Sequence, residues 1–594
     1  MTNAPYPTSP RVIPTVSGPP VIGSITQLYP HRLRAFLTAA YREHGPVFNV
    51  TGLGQTYTVL AGPEANVWTV KEGHRHLRSL EAWRPNDQAF GVQRSMISVD
   101  GAEHRTFRRT ESRTYARSYL GANLRRALSV TAEDLVPLRA GDDLPVAHWC
   151  KAVITEQLAR VVVNGTARPY LNDLLSFVQN TLMVRVTRQR PPLVEQLPGF
   201  RRARARSLGM VEALIDEHRR VPAEQAGRAP DLIDDLLAAA QAADPAFWSD
   251  MDLRVATMGA FIAGMDTAAN TLAFMLYRVG RHPELVPDLV AEADTAFQDG
   301  PPSMDTLGGL PHLHRFVMEC LRLHPIAPAM TRTVTQDFEF AGVTVPQGRR
   351  VIIGTTVSHG LDRCFTDADR FDPERFAPGR MEHRRPGAFA PYGLGTHICA
   401  GSGMAEGLIM LNLAAVLRTL DLRGDPAYVL REDAPPHRHA RRPPDPARER
   451  GAAPGGQSAR LTRYMVSGSR LRTGFPVCRA YAISRRVESP TYPPGLMTST
   501  SSARSILRRC SAPRRSSAAS RSALFRCARA SSSRSLWLPT LRTIRPASVS
   551  ASDAASNSVR KRTLPHRHTT RGLSPASALT RHPSISTTTR HPTG

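Results

Sequence analysis

Apolar residues recur at helical spacing along most of the chain as far as Leu420, and beyond about Pro435 the pattern stops. His31 to His44 places Leu33, Phe36, Leu37, Ala40 and Tyr41 on one face and is closed by Gly45, which predicts a helix. Phe48 to Leu60 alternates around Gly52-Leu53-Gly54, a hairpin signal. Residues 79–100 mix Trp83, Phe90 and Met96 with polar residues at no clean period and read as a loop. Gly101 opens the next helix, and residues 125–245 are mostly helical pattern broken by Gly and Pro. Asp252 to Arg281 reads as one long helix, and Leu310 to His324 as another that stops before Pro325. Phe338 to Ile353 alternates between Gly and Pro turns, as short hairpins do, and Met404 to Leu420 is an apolar helix-forming run. The expected class is mainly α with small β-sheets, after a Pro- and Gly-rich lead-in over residues 1–30.

Charge divides the chain sharply. Residues 451–594 hold 25 Lys and Arg against 2 Asp and Glu, so this stretch carries +23 of the formal +27. The body before it is nearly balanced, and the basic sequence pI describes the tail. Residues 436–594 are rich in Arg, Ser, Pro, Ala and Thr and lack the apolar area that offsets ordering entropy, so they are expected to stay disordered. Arg508-Arg509 and Arg514-Arg515 would suit phosphate. Against that, a tail without selected function, such as a frame-shift product, explains the same composition and is the preferred reading, so nucleic acid is not an expected partner. The division is therefore 1–435 for the folded domain and 436–594 for the tail. Asp425 to Asp433 could form a strand, but a closing hairpin after it is hard to find.

The seven cysteines show no paired spacing, which fits a reducing compartment and argues against a disulfide framework. The N-terminus has no basic segment followed by an apolar core, and the most apolar stretch, around 255–276, contains Asp266 and Asn270. These features predict a cytoplasmic monomer with no membrane partner.

Four local patterns carry chemistry. In Tyr392-Gly393-Leu394-Gly395-Thr396-His397-Ile398-Cys399-Ala400-Gly401, a single cysteine sits in a glycine-rich loop just before an apolar helix. The positive helix end favours its thiolate, a ligand for haem iron or a soft metal, although a lone cysteine can equally be structural. His104 and Arg108 share a helical face and suit a carboxylate, or else form a solvated basic face. Gly264, Asp266 and Thr267 interrupt an apolar helix, and local rules broken together often mark a functional site; a plain helix kink is the alternative. Glu319 and Arg322 stand at i and i+3, an arrangement that is most often a surface ion pair. The basic run Arg201-Arg202-Ala203-Arg204-Ala205-Arg206 reads as a solvated helix face without assigned chemistry.

Taken in order, these patterns resemble the cytochrome P-450 family over roughly residues 10–435. The cysteine loop follows that family's haem-binding loop, with Tyr392 where Phe is usual. The resemblance implies a cytochrome P-450-like fold that holds haem b (iron protoporphyrin IX), with Cys399 as the axial iron ligand. It implies that His104, Arg108, Arg332 and His397 bind the cofactor, the first three through its propionates, and that Ile326 to Met330 line the pocket. Asp266 and Thr267 would be the catalytic proton relay beside iron-bound dioxygen. Glu319, Arg322 and Arg375 would form a buried structural lock, and residues 79–100 a loop over the substrate. The implied activity is a soluble bacterial-type haem-thiolate monooxygenase acting on a small apolar substrate. No flavin or nicotinamide unit is legible, so electrons would come from a ferredoxin and its reductase, docking where Arg105 and Arg109 face outward. The alternatives are a haem-binding or sensing protein without turnover, or a variant crippled by an aberrant C-terminus.

Overall fold

The computed structural model describes residues 12–19, 23–24, 33–52, 54–139, 141–242, 247–424 and 463–466. The 435/436 boundary, the strand expected over Asp425 to Asp433 and the tail lie outside the described residues, except for Arg463–Val466, which forms a strand.

The N-terminal part is a small sheet with helices against it. α1 (Leu33–His44) leads through Gly45, at φ 84°, into β1 (Val47–Gly52) and β2 (Gln55–Ala61), the expected hairpin. Short α2 (Gly62–Lys71), α3 (Gly73–His76) and β3 (Leu77–Arg78) follow. α4 (Leu80–Phe90) then occupies much of the stretch read as a loop. Its pattern was illegible because Pro85 sits inside the helix, and Asn86 and Asp87 are buried beside Phe90.

Helices α5 (Gly101–Ser112), α6 (Arg117–Leu135), α7 (Val146–Val162), α8 (Leu171–Thr181), α9 (Pro198–Arg220) and α10 (Leu232–Ala242) make up the middle of the chain, with β4 (Asp143–Pro145) before α7. The expected long helix is two, α11 (Asp250–Gly264) and α12 (Thr267–Arg281). The cause is local: the Thr267 hydroxyl donates to the Ala263 carbonyl at 2.6 Å, and Asp266 is drawn away by partners on α7 and α8. Periodicity sees which face is apolar; it does not see where the backbone ladder is interrupted.

α13 (Val286–Ala296), α14 (Met304–Gly308) and α15 (Pro311–Leu323) precede β5 (Met330–Val334), β6 (Phe338–Phe340), β7 (Val343–Val345) and β8 (Arg350–Gly354). A long coil with several 3₁₀ turns reaches α16 (Ser402–Thr419), β9 (Leu422–Arg423) and β10 (Arg463–Val466). The main sheet has the order β1-β2-β8-β5-β3, β6 and β7 form a hairpin, and β10 pairs with both β4 and β9.

One large apolar cluster joins α6, α7, α11, α12, α15 and α16, and two smaller ones sit under the sheet. The span Gly395–Thr419, which includes α16, is long and apolar enough to cross a membrane, but 67% of that window is buried inside the protein, as befits a core helix. This core holds α16 and the loop before it against α6, α12 and α15.

Candidate haem-binding site

The loop before α16 is shaped by its glycines. Gly393 and Gly395 lie at φ 75° and 69°, where L side chains are disfavoured. A Cβ on Gly393 would also meet Met330 Sδ at 3.3 Å. Gly401, the residue before α16, sits at φ −96° and is not in the left-handed region. Residues 395–397 form a 3₁₀ turn, and the Cys399 N–H donates to the Tyr392 carbonyl at 3.0 Å, which closes the loop. Cys399 is exposed, whereas Cys150, Cys320 and Cys364 are buried.

Protein nevertheless surrounds the Cys399 thiol. Burial raises its pKa, against a hydrogen bond from the Gly401 N–H and the charge of Arg108. The positive end of α16 and Arg108 favour the thiolate, burial opposes it, and a metal bound at the sulfur would favour it further.

Basic groups gather around this loop. Arg108 donates to the Ile398 carbonyl at 2.7 Å, one residue from Cys399. The His397 and His104 rings are 4.3 Å apart, and His397 Nε2 is 2.9 Å from Asp100 Oδ1. Burial, followed by the charges of His397 and Arg108, pushes the His104 pKa down to about 4, so it is neutral at physiological pH. Burial alone would raise the Asp100 carboxyl, but hydrogen bonds from His397 and from the Ser79 N–H outweigh it and hold the group ionised. Arg332, on β5, is 8% exposed, and burial lowers its pKa to about 10. Its guanidinium donates to the Thr331 carbonyl at 2.8 Å and approaches Met330 Sδ at 3.8 Å; no described carboxylate pairs with it.

The nearest anion acting on this buried guanidinium is Asp100, which attracts it without a direct hydrogen bond, so a further anion would stabilise it. Arg108 and Arg332 thus present more positive charge than Asp100 balances, with the His104 and His397 rings beside them. Two propionate carboxylates beside a cysteine-ligated iron would supply what this donor set lacks, so the residues present fit haem b. Arg105 and Arg109 point outward, as expected.

The α11–α12 break brings together different chemistry. Ala263 is exposed and Thr267 half-buried, while Asp266 is 1% exposed. Asp266 Oδ1 lies 3.1 Å from Lys151 Nζ on α7 and accepts from Gln179 Nε2 on α8 at 2.9 Å. Asp266 and Thr267 are adjacent in sequence, but one is buried among the helices behind the break while the other borders open space. Gln179 Oε1 and Thr155 Oγ1 are both buried without a hydrogen-bond partner.

Glu319, Arg322 and Arg375 form one buried lock, each at 0% exposure. Arg322 grips Glu319 through two bonds of 2.7 and 2.8 Å, and Arg375 Nε reaches the same carboxylate at 3.2 Å. Glu382, a residue the sequence reading missed, accepts from Arg375 at 3.0 Å and from Arg380 at 2.8 Å, so a second anion joins the lock. Arg322 also donates to the carbonyls of His359 and Ala368. The buried His359 is kept neutral: its Nε2 accepts the Ala390 N–H at 2.9 Å, so Nδ1 carries the proton toward the Arg322 carbonyl at 3.1 Å. This network ties α15 to the coil that leads into the cysteine loop.

Lys151, Gln179 and Asp100 were also missed. Lys151 left a signal, a charge between the apolar residues Trp149, Cys150, Ala152 and Val153, and Asp100 left a weaker one, an acid just before a helix. Gln179 left none.

Comparison with known proteins agrees with this geometry. The cytochrome P-450 family matches residues 14–435. Cyclooctat-9-en-7-ol 5-monooxygenase of Streptomyces melanosporofaciens is 30% identical over 243 residues, 40% of this chain and 52% of that protein. Pentalenene oxygenase of Streptomyces avermitilis is 32% identical over 207 residues, 35% of this chain and 45% of that protein. The chain thus spans about half the length of these two curated relatives. A retinoic acid-bound cyanobacterial CYP120A1 structure superposes with a TM-score of 0.61 at 20% identity, over 71% of this chain and 95% of that one, and shares the fold.

Proposed function

The chain belongs to the cytochrome P-450 family, whose members hold haem b through a cysteine thiolate, and on that premise we propose that it is a monooxygenase. It would insert one oxygen atom of O2 into a small apolar organic substrate, with electrons from a separate ferredoxin and its reductase. The observation that carries this reading is the convergence of Cys399 with His104, Arg108, Arg332 and His397, a sulfur ligand beside two arginines and two imidazoles with Asp100 as the carboxylate among them.

Cys399 Sγ would be the iron ligand, and Arg108 and Arg332 would neutralise the propionates, with His104 and His397 as hydrogen-bond donors. The bound haem supplies dioxygen activation, which a thiolate ligand promotes. Thr267 Oγ1, now donating to the Ala263 carbonyl at 2.6 Å, can turn its proton toward the open groove and serve as donor there. Asp266 is buried against Lys151 and Gln179, and as the proposed relay it would first take up a proton from solvent when that pairing loosens and then hand it on toward Thr267. Glu319, Arg322 and Arg375 act on structure, keeping the cysteine loop in place. The two Streptomyces relatives are named for largely hydrocarbon substrates, which supports an apolar substrate here.

The test is product analysis with isotopically labelled dioxygen, on a compound first selected because it shifts the haem spin state. One labelled oxygen atom in the product, dependent on reductant, is expected. Electron uptake without any oxygenated product from spin-shifting compounds would favour a haem-binding protein without turnover.

A further inference from the structure

The helix that presents His104 and Arg108 carries a third ionisable group on the same face. Positions 104, 108 and 111 follow one another at helical spacing along α5, and Tyr115 comes one turn later. The first two meet the cysteine loop, His104 through the His397 ring at 4.3 Å and Arg108 through the Ile398 carbonyl at 2.7 Å. Glu111 is 2% exposed, and its Oε1 is buried without a hydrogen-bond partner. Tyr115 is also buried, and the charges of Glu111 and Cys399 both act on it. Acid and sulfur therefore share one buried phenol as a neighbour, and the haem-site reading gives Glu111 no task.

An unpaired carboxylate in a dry setting is costly, and protonation removes the cost. Burial, opposed only by the charge of Arg108, pushes the Glu111 pKa up to about 8, so the group is an uncharged acid at neutral pH. The other ionisable groups around it behave differently. His104 is held down to about 4, and burial raises the Tyr115 hydroxyl well above its usual range. The charge of Arg332 on β5 acts on His104, and His397 of the cysteine loop is paired with Asp100. On α10, which packs against α5, Asp235 is taken by Arg113 and Asp234 by Arg228, while Asp231 just before it meets His218.

We propose that Glu111 couples electron entry at the haem site to proton uptake. As one electron from the ferredoxin-type donor takes the Cys399-bound iron from Fe(III) to Fe(II), one proton moves from solvent onto any Glu111 carboxylate still ionised. The inference rests on the haem-thiolate reading of Cys399. The electron adds a unit of negative charge where water is excluded, and there a nearby carboxylate repels it more than it would in solvent. The reduced state therefore binds the Glu111 proton more tightly than the oxidised state does. The coupling is reciprocal, so an ionised Glu111 makes the electron harder to add. While Glu111 is protonated in both states the midpoint potential is independent of pH, and it falls as pH rises through the pKa of the oxidised state. At neutral pH the acid is uncharged, and the incoming electron meets no anion at position 111.

The test is the midpoint potential of the full, haem-loaded chain, titrated with dithionite and mediators from about pH 6.5 to about pH 9.5. Wild type should be level at the acid end and fall above about pH 8, by at most about 59 mV per pH unit, the one-electron equivalent of tenfold. E111Q should match wild type at the acid end and stay level throughout. A merely structural role for Glu111 would change haem loading without flattening that slope. A wild-type potential that is level over the whole range would overturn the proposal. Wild type and E111Q falling alike would also overturn it and assign the proton to another group. Should E111Q load no haem, E111M supplies the uncharged comparison, and the wild-type curve can still refute the proposal by itself. The reduced carbon monoxide band, recorded at each pH, reports the sulfur ligand separately. With that band present a level curve counts against Glu111 alone; with it missing from wild type, the ligand reading and this inference fail together.

Discussion

Lys151 Nζ lies 3.1 Å from Asp266 Oδ1, and both side chains are buried where α7 passes behind the break between α11 and α12. A buried ion pair is stable only while both members are present. Lys151→Met should lower stability by about 3–5 kcal/mol in urea unfolding. The Lys151→Met/Asp266→Asn double variant should recover much of that loss. If the double variant is as unstable as the sum of the two single changes, the pairing is not what matters at this position.

Thr267→Ala should leave haem loading and substrate binding in place while diverting electrons into peroxide, because the hydroxyl that now donates to the Ala263 carbonyl is the proposed proton donor. Measuring peroxide against product per electron decides the point. Unchanged coupling would remove Thr267 from proton delivery.

Glu319→Ala should yield little haem-loaded protein, since both Arg322 and Arg375 would lose a buried counter-charge, a loss of about 3–5 kcal/mol. A folded, haem-replete variant would contradict the lock.

Much of this site was legible from sequence because its constraints are local. The Cys399 loop needs glycine at two left-handed positions, and the Glu319–Arg322 spacing fixes one helical face. What escaped depends on tertiary partners. Glu382 enters the lock from a 3₁₀ turn that follows Met381 at φ 41°, a conformation no pattern announced. Asp266 was placed in the proton relay with Thr267 by the family resemblance, and its buried partners Lys151 and Gln179 on α7 and α8 could not be read from sequence. The surroundings of the Cys399 thiol were only partly legible: a helix end is visible in sequence, whereas the burial that opposes ionisation is not.

His218 links α9 to the start of α10. Its Nδ1 lies 2.7 Å from the Leu214 carbonyl and its Nε2 2.9 Å from Asp231, two acceptors that together require the doubly protonated ring. Burial would lower its pKa, but the Asp231 carboxylate outweighs burial and raises it above 6.5, with Arg228 opposing weakly. A raised folded pKa means the stabilisation is complete below the unfolded value of about 6.5 and is lost as pH rises through the folded one. Stability of wild type relative to Asp231→Asn should therefore shrink as pH rises above about 6.5. A difference that is constant with pH would show that the ring carries no linked proton.

The most direct test of the account is the absorption of the reduced carbon monoxide complex. Wild type should give the strongly red-shifted Soret band of thiolate-ligated haem, and Cys399→Ser, in protein that still binds haem, should lose it. Retention of that band in Cys399→Ser would contradict the assignment of Cys399 as the iron ligand, and with it the proposed chemistry of the site.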